Sequence, residues 1–251
     1  MTYQFGLNDM VGASGTFVNL HYPQPEQVPG LYDTSSLGGR AFYTRRVARG
    51  QYIGTTYEYQ RFAAYPIVGV NEAQTHAAFL FYSFSPRSYK FSISFFGGPQ
   101  YSAAVQPAPL PRVTSWTPAG GASLGWQGRA NSFAVSYLHI ITSGGGLIGS
   151  AHLDSGTASI RQQLTRTLRA SVSGGYAQNN VIGSPLVGVT NGHSISAGAS
   201  LQQLIGQHVG VQLGYTRIHQ IYSHVALISV IPDVNRESVS IFYQFSRPLG
   251  R

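Results

Sequence analysis

The sequence predicts an all-β chain, an antiparallel up-and-down transmembrane β-barrel of about 12 to 14 strands. Three observations carry that expectation. Segments of about ten residues alternate apolar or aromatic positions with small or polar ones, a period of two. Tight turns and long connections alternate between those segments, as in a string of hairpins. Only 10% of the residues are charged against 43% apolar and 12% aromatic, where a soluble domain carries about a quarter charged.

In order, the segments cover 2–8, 14–21, 37–47, 51–61, 75–84, 88–98, 119–128, 132–141, 151–164, 167–178, 192–204, 208–220 and 236–246. In 88–98, Tyr89, Phe91, Ile93 and Phe95 share one face and Lys90, Ser92 and Ser94 the other. In 51–61, Ile53, Thr55, Tyr57 and Tyr59 oppose Gly54, Thr56, Glu58 and Gln60. In 167–178, Leu168, Ala170, Val172 and Tyr176 oppose Arg169, Ser171, Ser173 and Gly175. Tight turns are predicted near Asp9–Gly12, Ala48–Gly50, Ser85–Arg87, Arg129–Asn131, Thr165–Arg166 and Gly206–Gln207. Longer Pro, Gly and Asn-rich connections are predicted over 22–36, 62–73, 99–118, 142–150, 179–191 and 222–235, so that short turns gather at one end and long loops at the other. Two hairpins repeat a pattern: Gln162-Gln163-Leu164 precedes one turn and Gln202-Gln203-Leu204 another, followed by Gly175-Tyr176 and Gly214-Tyr215.

A soluble up-and-down barrel or propeller is the competing reading. Spans near ten residues fit a tilted membrane strand of about 9 to 11, whereas globular strands cluster at about 5 to 6. The polar parity is Ser, Gly, Gln and Thr rather than Lys and Glu, as a wet lumen requires. No run approaches the roughly 18 apolar residues of a membrane helix. The absence of Cys removes disulfides, thiolate metal sites and cysteine nucleophiles. Residues 1–251 read as a single barrel domain.

Aromatic residues sit mainly at segment ends, among them Tyr3, Tyr57, Tyr59, Tyr101, Trp116, Trp126, Tyr137, Tyr176 and Tyr215, where membrane interfaces favour them. Arginine supplies most of the positive charge and gathers at the tight-turn end: Arg45, Arg46, Arg49, Arg87, Arg129, Arg166, Arg169, Arg247 and Arg251, with Lys90. These are expected to meet anionic lipid headgroups on the periplasmic side, or simply to make the turns polar. They form no continuous groove with stacking aromatics, so nucleic acid is not an expected partner.

The final segment, Arg236 to Phe245 with Val239, Ile241, Tyr243 and Phe245 alternating, resembles the C-terminal strand of bacterial outer-membrane barrels, which the barrel-assembly machinery reads. Ser246 to Arg251 extend beyond that pattern. With Gly144 to Gly149 and the Gln-Gln-Leu hairpins, the chain resembles uncharacterised outer-membrane β-barrel proteins of the kind encoded in acidobacterial genomes. The resemblance implies a cell outer-membrane location and no particular substrate. Thirteen segments conflict with the even strand number of single-chain bacterial barrels. The sequence reading therefore expects a missing upstream strand and signal peptide, an N-terminally truncated fragment; a miscounted first hairpin is the alternative.

No catalytic set is expected. His152, Asp154 and Ser155 are close in sequence, but Asp154 and Ser155 point to opposite faces of a strand. His76, His139, His193, His208, His219 and His224 form no ligand pair on one strand face, so neither metal nor cofactor is expected. Arg40 and Glu58 fall on the polar parity and are expected in the lumen, biasing ion passage or bracing the barrel as an ion pair. Arg217 falls on the apolar parity and is expected beyond the apolar band, on the loop side. The function expected is a passive pore or a translocation channel for small solutes or exported polymer. Two alternatives stay open: a structural or adhesive surface barrel binding a partner or polysaccharide through loops 22–36 and 99–118, and an outer-membrane lipid hydrolase using Ser155.

Overall fold

The computed structural model describes residues 1–21, 33–65, 70–86, 90–105, 112–143, 150–181, 191–205, 208–222 and 233–243. They form β1 (Thr2–Phe5), β2 (Asp9–Leu20), β3 (Asp33–Ala48), β4 (Gln51–Tyr65), β5 (Asn71–Phe84), β6 (Phe91–Val105) and β7 (Val113–Gln127). The second half holds β8 (Asn131–Ser143), β9 (Ser150–Gln163), β10 (Leu168–Val181), β11 (Asn191–Ile205), β12 (Val209–Tyr222) and β13 (Asp233–Tyr243). Each strand pairs antiparallel with the next in one 13-stranded up-and-down sheet, with β1 and β13 at its edges.

Strand number agrees with the sequence reading, and the bounds need correction. The first reversal is at Gly6–Asn8 rather than Asp9–Gly12: Asp9 to Gly12 pair with Phe5 to Thr2, and the turn is made at Gly6 with φ 78°. The connections predicted over 62–73 and 99–118 are largely strand, since β4 reaches Tyr65, β5 starts at Asn71, β6 reaches Val105 and β7 starts at Val113. Alternation fades in those ends because they lie above the apolar band, where the hydrogen-bond ladder continues but neither face is selected for lipid. The turn Gly206–Gln207, the Gly144 to Gly149 segment, Arg87, His224, Phe245, Arg247 and Arg251 lie outside the described residues.

The register fixes the tilt. One row of paired residues runs Asp9, Arg45, Ile53, Tyr82, Phe95, Ala122, Tyr137, Gly156, Tyr176, Ile195, His219, Asp233. Asp9 begins β2 at the short-turn end, whereas Asp233 begins β13 at the opposite end. Between them the row climbs by about one residue per strand, which at 3.3 Å rise and 4.8 Å spacing tilts the strands by about 35°, in the range of closed barrels. About nine residues at that tilt rise roughly 25 Å, the height of an outer-membrane apolar band. The outward parity supplies that band: Phe95, Val172, Leu201, Leu213, Val239 and Ile241 are all half or more exposed or close to it, at 53%, 60%, 48%, 51%, 72% and 76%. An apolar surface this continuous is foreign to a water-soluble monomer.

The inward parity is small and polar, and strands are tied across it by Ser94 to Ser123 at 2.6 Å, Ser136 to Thr157 at 2.7 Å and Ser171 to Ser200 at 2.7 Å. Phenylalanines also fall on this parity, and four of them are matched to glycines. Phe42, Phe81, Phe96 and Phe242 each reach over the glycine opposite them, Gly12, Gly54, Gly121 and Gly210, where a Cβ would collide with the ring.

One place in the wall departs from the ladder. Pro99 and Pro118 are partners between β6 and β7; neither has an N–H, so theirs is a non-hydrogen-bonded pair with the nitrogens facing outward to β5 and β8. The β5–β6 ladder accordingly skips Gly98 and Pro99, and the β7–β8 ladder ends at Gly120. Gln100 repairs the loss. Its amide donates to the Ile141 carbonyl at 2.9 Å and its oxygen accepts from the Ile141 N–H at 2.7 Å, so a buried side chain stands in for a strand.

Two outcomes are expected. Gln100→Leu leaves both Ile141 groups unpaired and lowers stability in vesicles, measured by urea unfolding, by about 1 to 3 kcal/mol; Gln127→Leu, at an exposed position, stays within about 0.5 kcal/mol. The sequence has 2 Trp. Trp126 lies at the short-turn end of β7 and Trp116 near its other end, above the band. In bilayers of acyl-chain-brominated lipid, Trp126 in the Trp116→Phe variant is therefore strongly quenched, and Trp116 in the Trp126→Phe variant weakly; equal quenching contradicts the band position.

Candidate functional site

The concave face gathers residues from distant strands. Ser14 and Thr16 of β2, Arg40 of β3, Glu58 and Gln60 of β4, Thr75 of β5, Gln100 of β6 and Ile140 of β8 meet around one groove of about 380 Å³. Arg40 and Glu58 are direct cross-strand partners, with Arg40 Nε 3.2 Å from Glu58 Oε1. Their side chains are 54% and 43% exposed, so the pair stands in the open groove. A second hollow of about 340 Å³ shares Arg40, Glu58, Phe79 and Ile140 with the first and continues onto Phe81, Phe96 and Leu138. Phe79 packs edge-on against Phe96 at 5.1 Å, and with Ala77 and Ala119 they make the small apolar core of the sheet. The inner surface thus passes from hydroxyls and amides, through one ion pair, to phenyl rings.

On the outward face, a belt of Tyr, His and acidic groups closes the apolar band on the long-connection side. Tyr57 hydroxyl and His76 Nδ1 are 2.7 Å apart; Tyr137 donates to Asp154 at 2.7 Å, which His139 Nδ1 also reaches at 2.7 Å. His152 stacks on His139 at 6.3 Å, and Tyr176 on His193 at 6.2 Å. Arg217 lies in this belt and donates to Asp233 at 3.2 Å, with His219 on the same carboxylate. Higher still, Arg61 grips Glu72 through Nε at 2.9 Å and Nη2 at 2.7 Å, and these hydrogen bonds, with one from Gln74, hold the Glu72 carboxyl below its ordinary value. Amphipathic rings and paired ions suit a headgroup layer, where one side of each group is apolar and the other wet.

The opposite rim is basic. Arg49, Arg129 and Arg166 stand exposed in short turns, Lys90 just before β6, and Arg46 and Arg169 near strand ends. Arg45 faces outward and is 3.9 Å from Asp9, which also accepts from Tyr43 at 2.6 Å. Asp9 is the acidic residue of this rim among the described residues, whereas Asp33, Glu72, Asp154 and Asp233 lie toward the other end. On the edge strand β13, Val239, Ile241 and Tyr243 face outward and exposed.

The residues weighed for chemistry are placed as follows. His152 and Asp154 point outward, while Ser155 lies on the inward parity opposite Leu138, so the three do not converge. The sequence reading paired histidines only within a strand and so missed the trio His139, His152 and Asp154, which adjacent strands bring together; the β8–β9 register, not the spacing, was the signal needed. Among the described residues no group of three or more His, Cys, Asp or Glu is arranged to hold a metal ion. The hollow lined by Phe79, Phe81 and Phe96 was also missed, because phenylalanine on the polar parity reads as a lapse of alternation.

No protein-family model and no curated protein matches the chain. Solved structures do. The ferric citrate transporter FecA in its unliganded form is similar with a TM-score of 0.62 and 8% identity over 98% of this chain and 46% of that one. The copper transporter OprC is similar with a TM-score of 0.53 and 9% identity over 86% of this chain and 43% of that one. The chain therefore spans less than half the length of these structures, and at such identities the likeness is one of fold. That fold is the outer-membrane β-barrel, and it agrees with the cell outer-membrane location expected from the sequence.

Proposed function

We propose that the protein is an outer-membrane barrel whose concave face lines a passage for small solutes, with Arg40 and Glu58 setting the charge preference of that passage. The observation that carries this reading is the division of one sheet into an outward apolar band and an inward face of hydroxyls, amides and one accessible ion pair. In a bilayer the open hydrogen-bonding groups of edges β1 and β13 must be satisfied, by each other or by further strands, and either arrangement closes the wall. Lipid then meets the band, and the basic short-turn rim meets anionic headgroups on the periplasmic side. The alternating outward residues Val239, Ile241 and Tyr243 of β13 are the surface offered to the barrel-assembly machinery. Handling of an exported polymer through the same passage is the wider form of this proposal.

Planar-bilayer recording of the refolded chain is expected to give discrete conductance steps. In a salt gradient, Arg40→Gln shifts the reversal potential toward cation preference and Glu58→Gln toward anion preference. Verified insertion without conductance contradicts the passage.

A further inference from the structure

The hollow beside the ion pair has the composition of a ligand site rather than of a bare conduit. Its volume of about 340 Å³ falls at the lower end of small-molecule pockets. Phe79, Phe81 and Phe96 supply aromatic walls, with Ile140 from across the groove. Phe81 and Phe96 reach into the space left by Gly54 and Gly121, so these walls are set by packing on the backbone before any ligand arrives.

Two polar groups of this hollow are incompletely bonded within the fold. Thr56, 4% exposed and one of its lining residues, has a buried Oγ1 with no hydrogen-bond partner. Such a group costs stability unless something supplies the bond. Arg40 approaches Glu58 no closer than 3.2 Å and, unlike Arg61 on Glu72, forms no hydrogen-bonded fork with it among the described residues. The planar guanidinium is thus open to a carboxylate that can take two parallel bonds. The formal charge of +8 on the chain favours the arrival of anions.

We propose that this hollow binds a small aromatic carboxylate, its ring against Phe79 and Phe96 and its carboxylate on Arg40. The ligand carboxylate competes with Glu58 for the guanidinium. This deepens the reading of the concave face as a lumen, but it does not depend on that lumen conducting: a non-conducting protein that binds the probe leaves it standing.

The probe is 2-naphthoate, titrated calorimetrically into the full chain in nanodiscs, with empty nanodiscs subtracted. Binding is expected, with 2-naphthalenemethanol, which keeps the rings and lacks the charge, at least tenfold weaker. Arg40→Gln weakens naphthoate at least tenfold, Glu58→Gln tightens it by removing the competitor, and Phe96→Leu weakens the acid and the alcohol alike. Equal affinity for acid and alcohol, no loss in Arg40→Gln, or no saturable binding overturns the proposal. Glu58→Gln decides the matter if Arg40→Gln fails to fold, since weaker binding in that variant is also contrary.

Discussion

Inside a bilayer no water is present to pair a stray N–H or C=O, and each unpaired group costs several kcal/mol. The up-and-down order of the strands follows directly, because neighbours in sequence satisfy one another from end to end. Burial within the protein imposes the same demand above the band, at Pro99 and Pro118 beside the buried Gln100. Two residues without an N–H are accommodated by facing each other, which turns their missing donors toward β5 and β8. The resulting gap against β8 is closed by the Gln100 amide rather than left open.

Once the ladder is fixed, the two faces are free to serve different solvents. The stagger of about one residue per strand gives the tilt that lets nine or so residues cross the apolar layer. Outward residues within that span are mostly apolar, with Thr55 and Glu237 as exceptions, and its upper edge is rich in tyrosine, histidine and paired ions, as Tyr137, His139 and Asp154 illustrate. The inward face limits bulk by setting each of four half-buried phenylalanines against a glycine. Where Phe79, which has no such glycine, packs on Phe96, the surface turns apolar and a hollow forms beside Arg40 and Glu58.

Much of this was legible in the sequence. Period-two alternation in stretches such as 167–178 placed the strands and their count, and it put Arg40 and Glu58 on the polar parity and Arg217 on the apolar one; that Arg40 and Glu58 are direct cross-strand partners comes from the register. Strand ends were not legible, since Ala63, Ala64, Ala103 and Ala104 carry no alternation and owe their strand conformation to pairing alone. Nor was the first turn, because Gly6 and Gly12 look alike until φ is known. Contacts between strands, such as His139 with Asp154 or Gln100 with Ile141, depend on register, which parity within one strand does not encode.

The division of faces is tested most directly by labelling. The chain has no cysteine, so single cysteines introduced from Val211 to Arg217 of β12 report without background. In liposomes, a membrane-impermeant maleimide is expected to label positions 212, 214 and 216 and to spare 211, 213 and 215, with 217 labelled because it lies above the band. Uniform labelling of both parities through Tyr215 would contradict a sheet that separates lipid from a water-filled lumen.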